Sequence, residues 1–192
     1  MPSNSFDKEL IDSNLLGATN LKELHRKEKL LTNTKMLLLQ ENPIEGNLDY
    51  AHLKAIHKFL FSEVYSWAGQ DRYDAHITAK FGKDTTLFTP YEKLPSVSKV
   101  LFDALSDENY FKGQSKVEFI ESAATFMNGL NILHPFREGN GRVQRIYMQY
   151  LAKNAGYTLN FENISSKEMV QASIEGAQGN LLLLKEIFTK SL

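Results

Sequence analysis

Apolar residues along this chain recur at the three- and four-residue spacing of helices, not at the alternating spacing of strands. The clearest stripe begins after Asp49, a residue suited to cap a helix, and ends at Gly69. This stripe predicts a helix with one buried face. Its members are Leu53, Ile56, His57, Leu60, Phe61, Val64 and Trp67.

Two capping boxes, in which a serine is followed three residues later by a glutamate, predict the starts of two more helices. Ser115 and Glu118 open a strongly apolar segment that we expect to run through the core. Ser165 and Glu168 open an amphipathic stretch nearer the carboxyl end. Residues 21–40, rich in Leu, Lys and Glu, predict a further helix.

The helical period disappears between residues 70 and 88, where turn residues at 82–84 separate two short candidate strands. This region predicts a small β-hairpin. After it, Thr89 and Pro90 resemble a helix start, and Pro95 should interrupt any single long helix there.

A short glycine-rich loop, residues 134–141, separates the apolar segment after Ser115 from a second helical stripe that continues to Gly156. The chain is therefore predicted to be an all-α protein, with a central helix-loop-helix and one small β-hairpin.

The composition excludes several classes of function. Lys and Arg number 22 against 23 Asp and Glu, so the net charge of -1 predicts no general attraction to nucleic acid or anionic lipid. Cysteine is absent, which removes disulfides, thiolate metal sites and cysteine nucleophiles. With no secretory pattern in residues 1–10 and no apolar run of membrane-spanning length, we expect a cytoplasmic protein that contacts no membrane.

The loop between the two central helices offers an anion-binding site. A helix amino terminus exposes unpaired N–H groups and the positive end of the helix dipole, which suit phosphate. Gly139 and Gly141 allow the backbone to approach a ligand, and Asn140 between them tolerates a left-handed conformation and can add a donor. Arg142 and Arg145 are spaced so that both guanidinium groups can face this loop, which favours a polyphosphate.

Two other groups complete the predicted chemistry. Glu138 suits this basic surrounding when Mg²⁺ bridges it to phosphates, and His134 can take a proton from an attacking hydroxyl. Each residue also has an ordinary structural interpretation: a capping histidine, a glutamate that complements the helix dipole, or a solvated arginine face. Their concentration within twelve residues favours the functional interpretation.

Residues 134–145, His-Pro-Phe-Arg-Glu-Gly-Asn-Gly-Arg-Val-Gln-Arg, resemble the Fic (filamentation induced by cAMP) family motif His-Pro-Phe-x-(Asp/Glu)-Gly-Asn-Gly-Arg-x-x-Arg at every defined position. The resemblance extends to residues 48–72. It divides the chain into an N-terminal helical extension, residues 1–45, and a Fic domain, residues 46–192. It is greatest to bacterial single-domain Fic toxins that are paired with a separate antitoxin.

The resemblance implies a Fic fold and transfer of AMP from ATP to a Tyr, Thr or Ser hydroxyl of a target protein. His134 is implied to be the general base and Glu138 to hold Mg²⁺. The other motif positions are implied to bind the phosphates of ATP, as an anion hole or at the distal phosphates: Gly139, Asn140, Gly141, Arg142 and Arg145. The hairpin is implied to be a flap that aligns the target by strand addition, with Ile77, Lys80 and Lys83 as its candidate contacts.

Two alternatives stay open at this point: transfer of another group, such as phosphate, UMP or phosphocholine, and a non-catalytic nucleotide-binding module. Members related to the Doc toxin, which transfer the terminal phosphate, carry Ala in place of Gly139 and lack the second arginine. The presence of Gly139 and Arg145 therefore favours AMP transfer.

Many family members restrain themselves with a Ser/Thr-x-x-x-Glu-Gly/Asn helix, and neither Glu-Gly pair of this chain matches it, since Gln171 precedes Glu175 and Glu41 precedes Glu45. We therefore expect either a separate antitoxin that supplies the glutamate or no restraint of this kind. Type II topoisomerase subunits are the target that the resemblance suggests.

Overall fold

The computed structural model describes residues 5–78, 82–83 and 86–192, and helices make up most of this part of the chain. This confirms the predicted all-α class. None of the described helices combines the length and the apolar character needed to cross a bilayer. In chain order the elements are α1 Ser5–Asp12, α2 Leu21–Glu41, α3 Tyr50–Phe61, β1 Gly82–Lys83, β2 Thr86–Leu87, a 3-10 turn Tyr91–Lys93, α4 Leu94–Asp107, a second 3-10 turn Asn109–Phe111, α5 Lys116–Leu133, α6 Asn140–Asn154, α7 Ser166–Ala177 and α8 Leu182–Ser191.

Helix α5 lies at the centre and packs against α4, α6, α7 and α8. Its start is fixed by the predicted capping box, in which the Glu118 carboxylate accepts from the Ser115 amide at 2.8 Å. The second predicted box, Ser165 with Glu168, begins α7 in the same way. Contact with four helices explains why α5 is apolar around much of its circumference, although Glu121 and Thr125 remain exposed. Its buried residues are Phe119, Ala123, Ala124, Phe126, Met127, Leu130 and Leu133.

Helix α3 begins where predicted, with Asp49 accepting from the His52 amide at 2.8 Å, but it ends at Phe61 and not near Gly69. Residues 62–69 form turns instead. The chain folds back along α3, and the Gly69 amide donates to His57 Nδ1 at 2.8 Å. The apolar stripe continues into these turns because they bury side chains against the same core.

Of two other predictions near a helix start, the break at Pro95 agrees with the structure and the cap at Thr89 was wrong. As predicted, no single α-helix runs from Thr89 through Pro95, because a 3-10 turn precedes α4; Pro95 lies in the first turn of α4, where its missing N–H leaves no bond unmade. Thr89 does not cap a helix, because its hydroxyl donates to the Ile132 carbonyl at 3.1 Å. Within the predicted helical extension, residues 1–45, the separate helix α1 was not predicted.

Within the predicted hairpin, β1 and β2 pair in antiparallel register, with Gly82 opposite Leu87 and Lys83 opposite Thr86. Gly82 and Lys83 are therefore strand residues, although the sequence placed them in the turn. Residues 79–81 and 84–85 lie outside the described part of the chain, so the flap as a whole stays a prediction.

Candidate phosphate-binding turn between α5 and α6

His134 ends α5 in a left-handed conformation, with φ of 43°. Its amide still donates to the Leu130 carbonyl at 3.0 Å, so the residue belongs to the last turn of the helix. Its imidazole is partly exposed and stacks on the Phe88 ring, with centroids 3.7 Å apart. The end of α5 therefore places this imidazole at the entrance of the turn.

Arg72 holds the backbone around His134. Its Nε donates to the His134 carbonyl at 2.9 Å, and its Nη2 donates to the carbonyls of Thr89 at 2.7 Å and Leu133 at 3.1 Å. The Arg72 amide also donates to the Pro135 carbonyl at 2.7 Å. Burial lowers the pKa of this arginine. In the sequence, Arg72 is only the last residue of the segment 48–72 that resembles the family, and nothing local indicates which carbonyls it reaches.

His57 supports the turn from α3. Because the Gly69 amide donates to Nδ1 at 2.8 Å, the ring proton is on Nε2, which donates to the Glu138 carbonyl at 3.2 Å. The ring stacks on Phe136, with centroids 4.0 Å apart. Burial lowers the pKa of His57 to about 3, so this imidazole is neutral and its role is structural. The helical stripe predicted its burial but not its partners.

Asn140 was expected to offer a donor to the ligand. Its side chain instead closes the turn, donating to the Phe136 carbonyl at 2.7 Å and accepting from the Phe136 amide at 2.9 Å. Asn140 is 5% exposed, so its side chain is not available to a ligand in this arrangement. The contribution of Asn140 to an anion site is its backbone amide.

The two glycines of the turn differ in what they make possible. Gly139 has φ of 83°, and a Cβ there would lie 2.3 Å from Phe61 Cζ, so the close approach is to the protein's own ring. At Gly141, a Cβ would meet only Arg145 Nη1, at 3.6 Å. Gly139 therefore shapes the turn, while Gly141 leaves its outer face open.

The amides at the start of α6 show where an anion can bind. The amides of Arg142 and Val143 both donate to the Gly139 carbonyl at 3.1 Å. Within the described residues, the amides of Asn140 and Gly141 have no protein acceptor. These two groups are the unpaired donors that a helix amino terminus offers to an anion.

Arg142 was expected to direct its guanidinium at the ligand, but much of that group is bound by the protein. Its Nη2 donates to Glu28 at 2.5 Å and to Glu138 at 3.3 Å, and its Nη1 donates to Thr32 at 3.1 Å. The guanidinium carbon lies 4.8 Å from the centre of the Phe61 ring. Helix α2, in the predicted N-terminal extension, therefore contributes to this turn.

Arg145 has the opposite surroundings. In the part of the chain that the structure describes, no acceptor or carboxylate lies within bonding distance of its guanidinium, and its Nη1 lies beside Gly141. Burial, and then the charge of Arg142, lowers the pKa of Arg145. Arg145 also lines a cavity of about 570 Å³ between α2, α6 and residues 157–162. It is therefore a partly buried cation that suits an external anion.

Glu138 is the carboxylate that could hold a metal ion. Its side chain is 39% exposed, and its Oε1 accepts from the Gly139 amide at 2.8 Å and from Arg142. Among the described residues, no group of three His, Asp or Glu side chains could bind a metal together. A single exposed carboxylate suits Mg²⁺ that takes its remaining ligands from phosphate oxygens and water.

The sequence predicted three flap contacts, Ile77, Lys80 and Lys83, and the structure describes the side chain of Ile77 among them. Ile77 is 7% exposed, and its amide donates to the Arg72 carbonyl at 2.8 Å, so its side chain belongs to the interior. Lys80 lies outside the described residues. Lys83 lies in β1, and its side chain is outside the described part.

Comparison with known protein families gives a match to the Fic/DOC family over residues 47–152, which is more than half of the chain. The Bartonella schoenbuchensis protein named "Protein adenylyltransferase VbhT" is 36% identical over 179 residues, which cover 93% of this chain and 36% of that protein. The Escherichia coli protein named "Probable protein adenylyltransferase Fic" is 32% identical over 174 residues, covering 89% of this chain and 84% of that protein. The chain thus spans about a third of the first relative and most of the second.

Solved structures of similar fold include BepC of Bartonella tribocorum with bound AMPPNP, at a TM-score of 0.83 and 29% identity, covering 93% of this chain and 90% of that one. A Fic domain from Bartonella quintana with bound ADP also has a TM-score of 0.83 and 29% identity, and covers 93% of this chain and 88% of that one. Both neighbours therefore hold an adenine nucleotide.

Proposed function

Because the chain belongs to the Fic/DOC family, we propose that it is a protein adenylyltransferase, which transfers AMP from ATP to a Tyr, Thr or Ser hydroxyl of another protein. The observation that carries this proposal is the arrangement of the turn after α5. The His134 imidazole lies at one end. At the other lie two amides and the Arg145 guanidinium, for which the described residues supply no acceptor. A polyphosphate bound there has a base next to it and positive charge beneath it.

In this mechanism the target hydroxyl attacks the α-phosphorus of ATP while His134 takes the hydroxyl proton. The bond from the α-phosphorus to the bridging oxygen breaks, and pyrophosphate leaves. The amides of Asn140 and Gly141 bind phosphoryl oxygens, and Arg142 and Arg145 stabilise the charge of the distal phosphates. The result is an AMP group joined to the target through a phosphodiester, with positioning and electrostatics supplying the catalysis.

We propose that Glu138 holds a Mg²⁺ ion that arrives with ATP. When bound, this ion supplies positive charge that neutralises the phosphate oxygens. The carboxylate is exposed and keeps one oxygen, Oε2, outside the contacts with Gly139 and Arg142, which fits this role.

The position of the transferred phosphorus tests the reaction. Purified protein is incubated with a cell lysate and ATP labelled at the α or the γ phosphate. We expect label on protein only from the α position, because AMP carries the α-phosphorus. Label that arrives only from the γ position would make the protein a kinase and reject the proposal. Competition by UTP or a choline-bearing nucleotide identifies a different donor.

The His134→Ala variant tests whether the turn is catalytic or only binds nucleotide. We expect loss of modification by at least 10²-fold, the usual contribution of a general base, with ATP binding nearly unchanged. Modification at the wild-type rate would remove His134 from the mechanism. To identify the modified proteins, we would express wild type and the His134→Ala variant in Escherichia coli and compare the proteins of the two cultures by mass spectrometry.

The partners belong to the proposal as well. We propose that the flap aligns the target by backbone pairing, with Lys80 and Lys83 near it, and that type II topoisomerase subunits are targets.

We also propose that a small antitoxin restrains the enzyme with a glutamate that pairs with Arg145, beside which the cavity of about 570 Å³ opens. The site of action is the cytoplasm, where ATP and such targets occur.

A further inference from the structure

The guanidinium of Arg142 is held by side chains that precede the family-matched segment. Glu28 Oε1 accepts from Nη2 at 2.5 Å, and Thr32 Oγ1 accepts from Nη1 at 3.1 Å. Both residues lie on α2, whereas the family match begins at residue 47. The family match therefore does not include these two side chains.

Glu28 is a fixed acceptor and not a mobile one. Its side chain is 5% exposed, and its second oxygen, Oε2, accepts from the Tyr65 hydroxyl at 2.5 Å. A buried carboxylate is stable only when its charge and its lone pairs have partners, and here Arg142 and Tyr65 supply them. Movement of Glu28 away from Arg142 would leave the Glu28 carboxylate buried without its cation.

The Phe61 ring fixes the same guanidinium from below. The guanidinium carbon lies 4.8 Å from the ring centre, and the ring also occupies the space next to Gly139. The Phe61 side chain therefore restricts both the position of the Arg142 guanidinium and the backbone of the turn at Gly139. The plane of the Arg142 guanidinium is defined before any ligand binds.

This arrangement leaves part of Arg142 available. Of the five N–H donors of an arginine, the contacts with Glu28, Glu138 and Thr32 use two on Nη2 and one on Nη1. The Nε–H and the second N–H of Nη1 have no acceptor among the described residues. They are the donors that can reach a phosphate.

We propose that Glu28 is a positioning residue for phosphate binding: it orients Arg142 so that the two remaining donors point at the distal phosphates of ATP. This inference rests on the proposed function, because it assumes that ATP occupies the turn. The opposite hypothesis is that Glu28 competes with ATP for Arg142. Positioning predicts weaker ATP binding when Glu28 is replaced, and competition predicts tighter binding.

The test is calorimetric titration of Mg-ATP and of AMP into protein that carries His134→Ala, which prevents turnover. We expect Glu28→Gln to weaken ATP binding about tenfold, with AMP affinity changed less than twofold, because only ATP has distal phosphates. Glu41→Gln, an exposed glutamate on the same helix, is the matched control and should leave both affinities unchanged. Combination of Glu28→Gln with Arg142→Ala should weaken ATP binding no more than Arg142→Ala alone.

Three results would overturn the inference: unchanged or tighter ATP binding by Glu28→Gln, equal weakening of ATP and AMP, or additive effects in the double variant. Tyr65→Phe, which keeps the carboxylate and removes one hydroxyl, gives a second measurement if Glu28→Gln folds poorly. We expect Tyr65→Phe to weaken ATP binding two- to fivefold and leave AMP binding unchanged. If this variant binds both ATP and AMP as tightly as wild type does, the inference is contradicted. Protein that binds ATP normally but transfers no AMP contradicts the proposed function alone.

Discussion

The turn between α5 and α6 has two parts that differ in how the protein treats their polar groups. Between His134 and Arg142, several carbonyls and side chains are bound by other protein groups, which reach the turn from α2, α3 and residue 72. At Arg145, and at the amides of Asn140 and Gly141, the described part of the chain supplies no partner. The first part therefore sets the shape of the turn, and the second part offers its N–H donors to a ligand.

Residues that shape the turn are therefore distinct from residues that bind the ligand, although the sequence presents both as one motif. Substitutions in the bound part should reduce the free energy of unfolding. Substitutions in the unpaired part should leave stability unchanged and act on the ligand. Four measurements test this division, in order of decreasing effect on stability.

Arg72→Lys should have the largest effect. A lysine cannot supply the donors that Arg72 directs at His134, Thr89 and Leu133, and it would leave buried carbonyls unpaired. We expect a loss of about 3 kcal/mol in the free energy of unfolding, measured in urea. Arg26→Lys, an exposed arginine on α2, should change stability by less than about 0.5 kcal/mol. Equal stability of the two variants would contradict the role of Arg72.

Gly139→Ala should come second. The alanine would need φ of 83° and would place its Cβ 2.3 Å from Phe61 Cζ, so strain and overpacking act together. We expect a loss of about 2 to 3 kcal/mol in thermal or urea unfolding. The control is Gly141→Ala, which meets only Arg145 Nη1 at 3.6 Å and should change stability by less than about 0.5 kcal/mol. A large loss at Gly141 would erase the distinction between the two glycines.

His57 predicts a pH dependence of stability. Its pKa is about 3 in the folded protein, against about 6.5 when exposed, so the unfolded chain binds more protons between these values. The stability is therefore complete above pH 6.5 and falls as the pH decreases toward 3. We expect His57 to account for about 2 kcal/mol lost between pH 7 and pH 5.

The measurement is urea unfolding at both pH values for wild type and His57→Gln, in which this dependence should disappear. His25→Gln changes an exposed histidine on α2 and should keep it. The same pH dependence in wild type and His57→Gln would mean that another group is responsible.

The parts of the fold that the sequence predicted depend on neighbours a few residues apart. Asp49 and Ser115 cap their helices because the partners lie three residues along the chain. The early end of α3 was missed, since Gly69 folds back to His57 and this contact has no local signature. Helix α1 was missed as well, and its short sequence carries no capping box.

Contacts between residues that are distant in the sequence also limit prediction of the site. The motif identified the turn and its glycines, but it assigned Asn140 to the ligand, and its side chain pairs with Phe136. Two arginines three residues apart look equivalent in sequence. They differ because Glu28, which is far away in the chain, reaches Arg142 and not Arg145. The sequence does not show which distant residues contact the site, and the three-dimensional structure does.

Arg145→Met should have the smallest effect on stability. Its guanidinium has no acceptor in the described structure, and burial and the charge of Arg142 lower its pKa, so the cation contributes little to folding. We expect unfolding free energy within about 0.5 kcal/mol of wild type, together with ATP binding weakened at least about tenfold. Arg142→Met is the contrast: it leaves the Glu28 carboxylate buried without its cation and should cost about 3 kcal/mol. Destabilisation by Arg145→Met equal to that by Arg142→Met would show that both arginines serve the fold, and the division of the turn would be wrong.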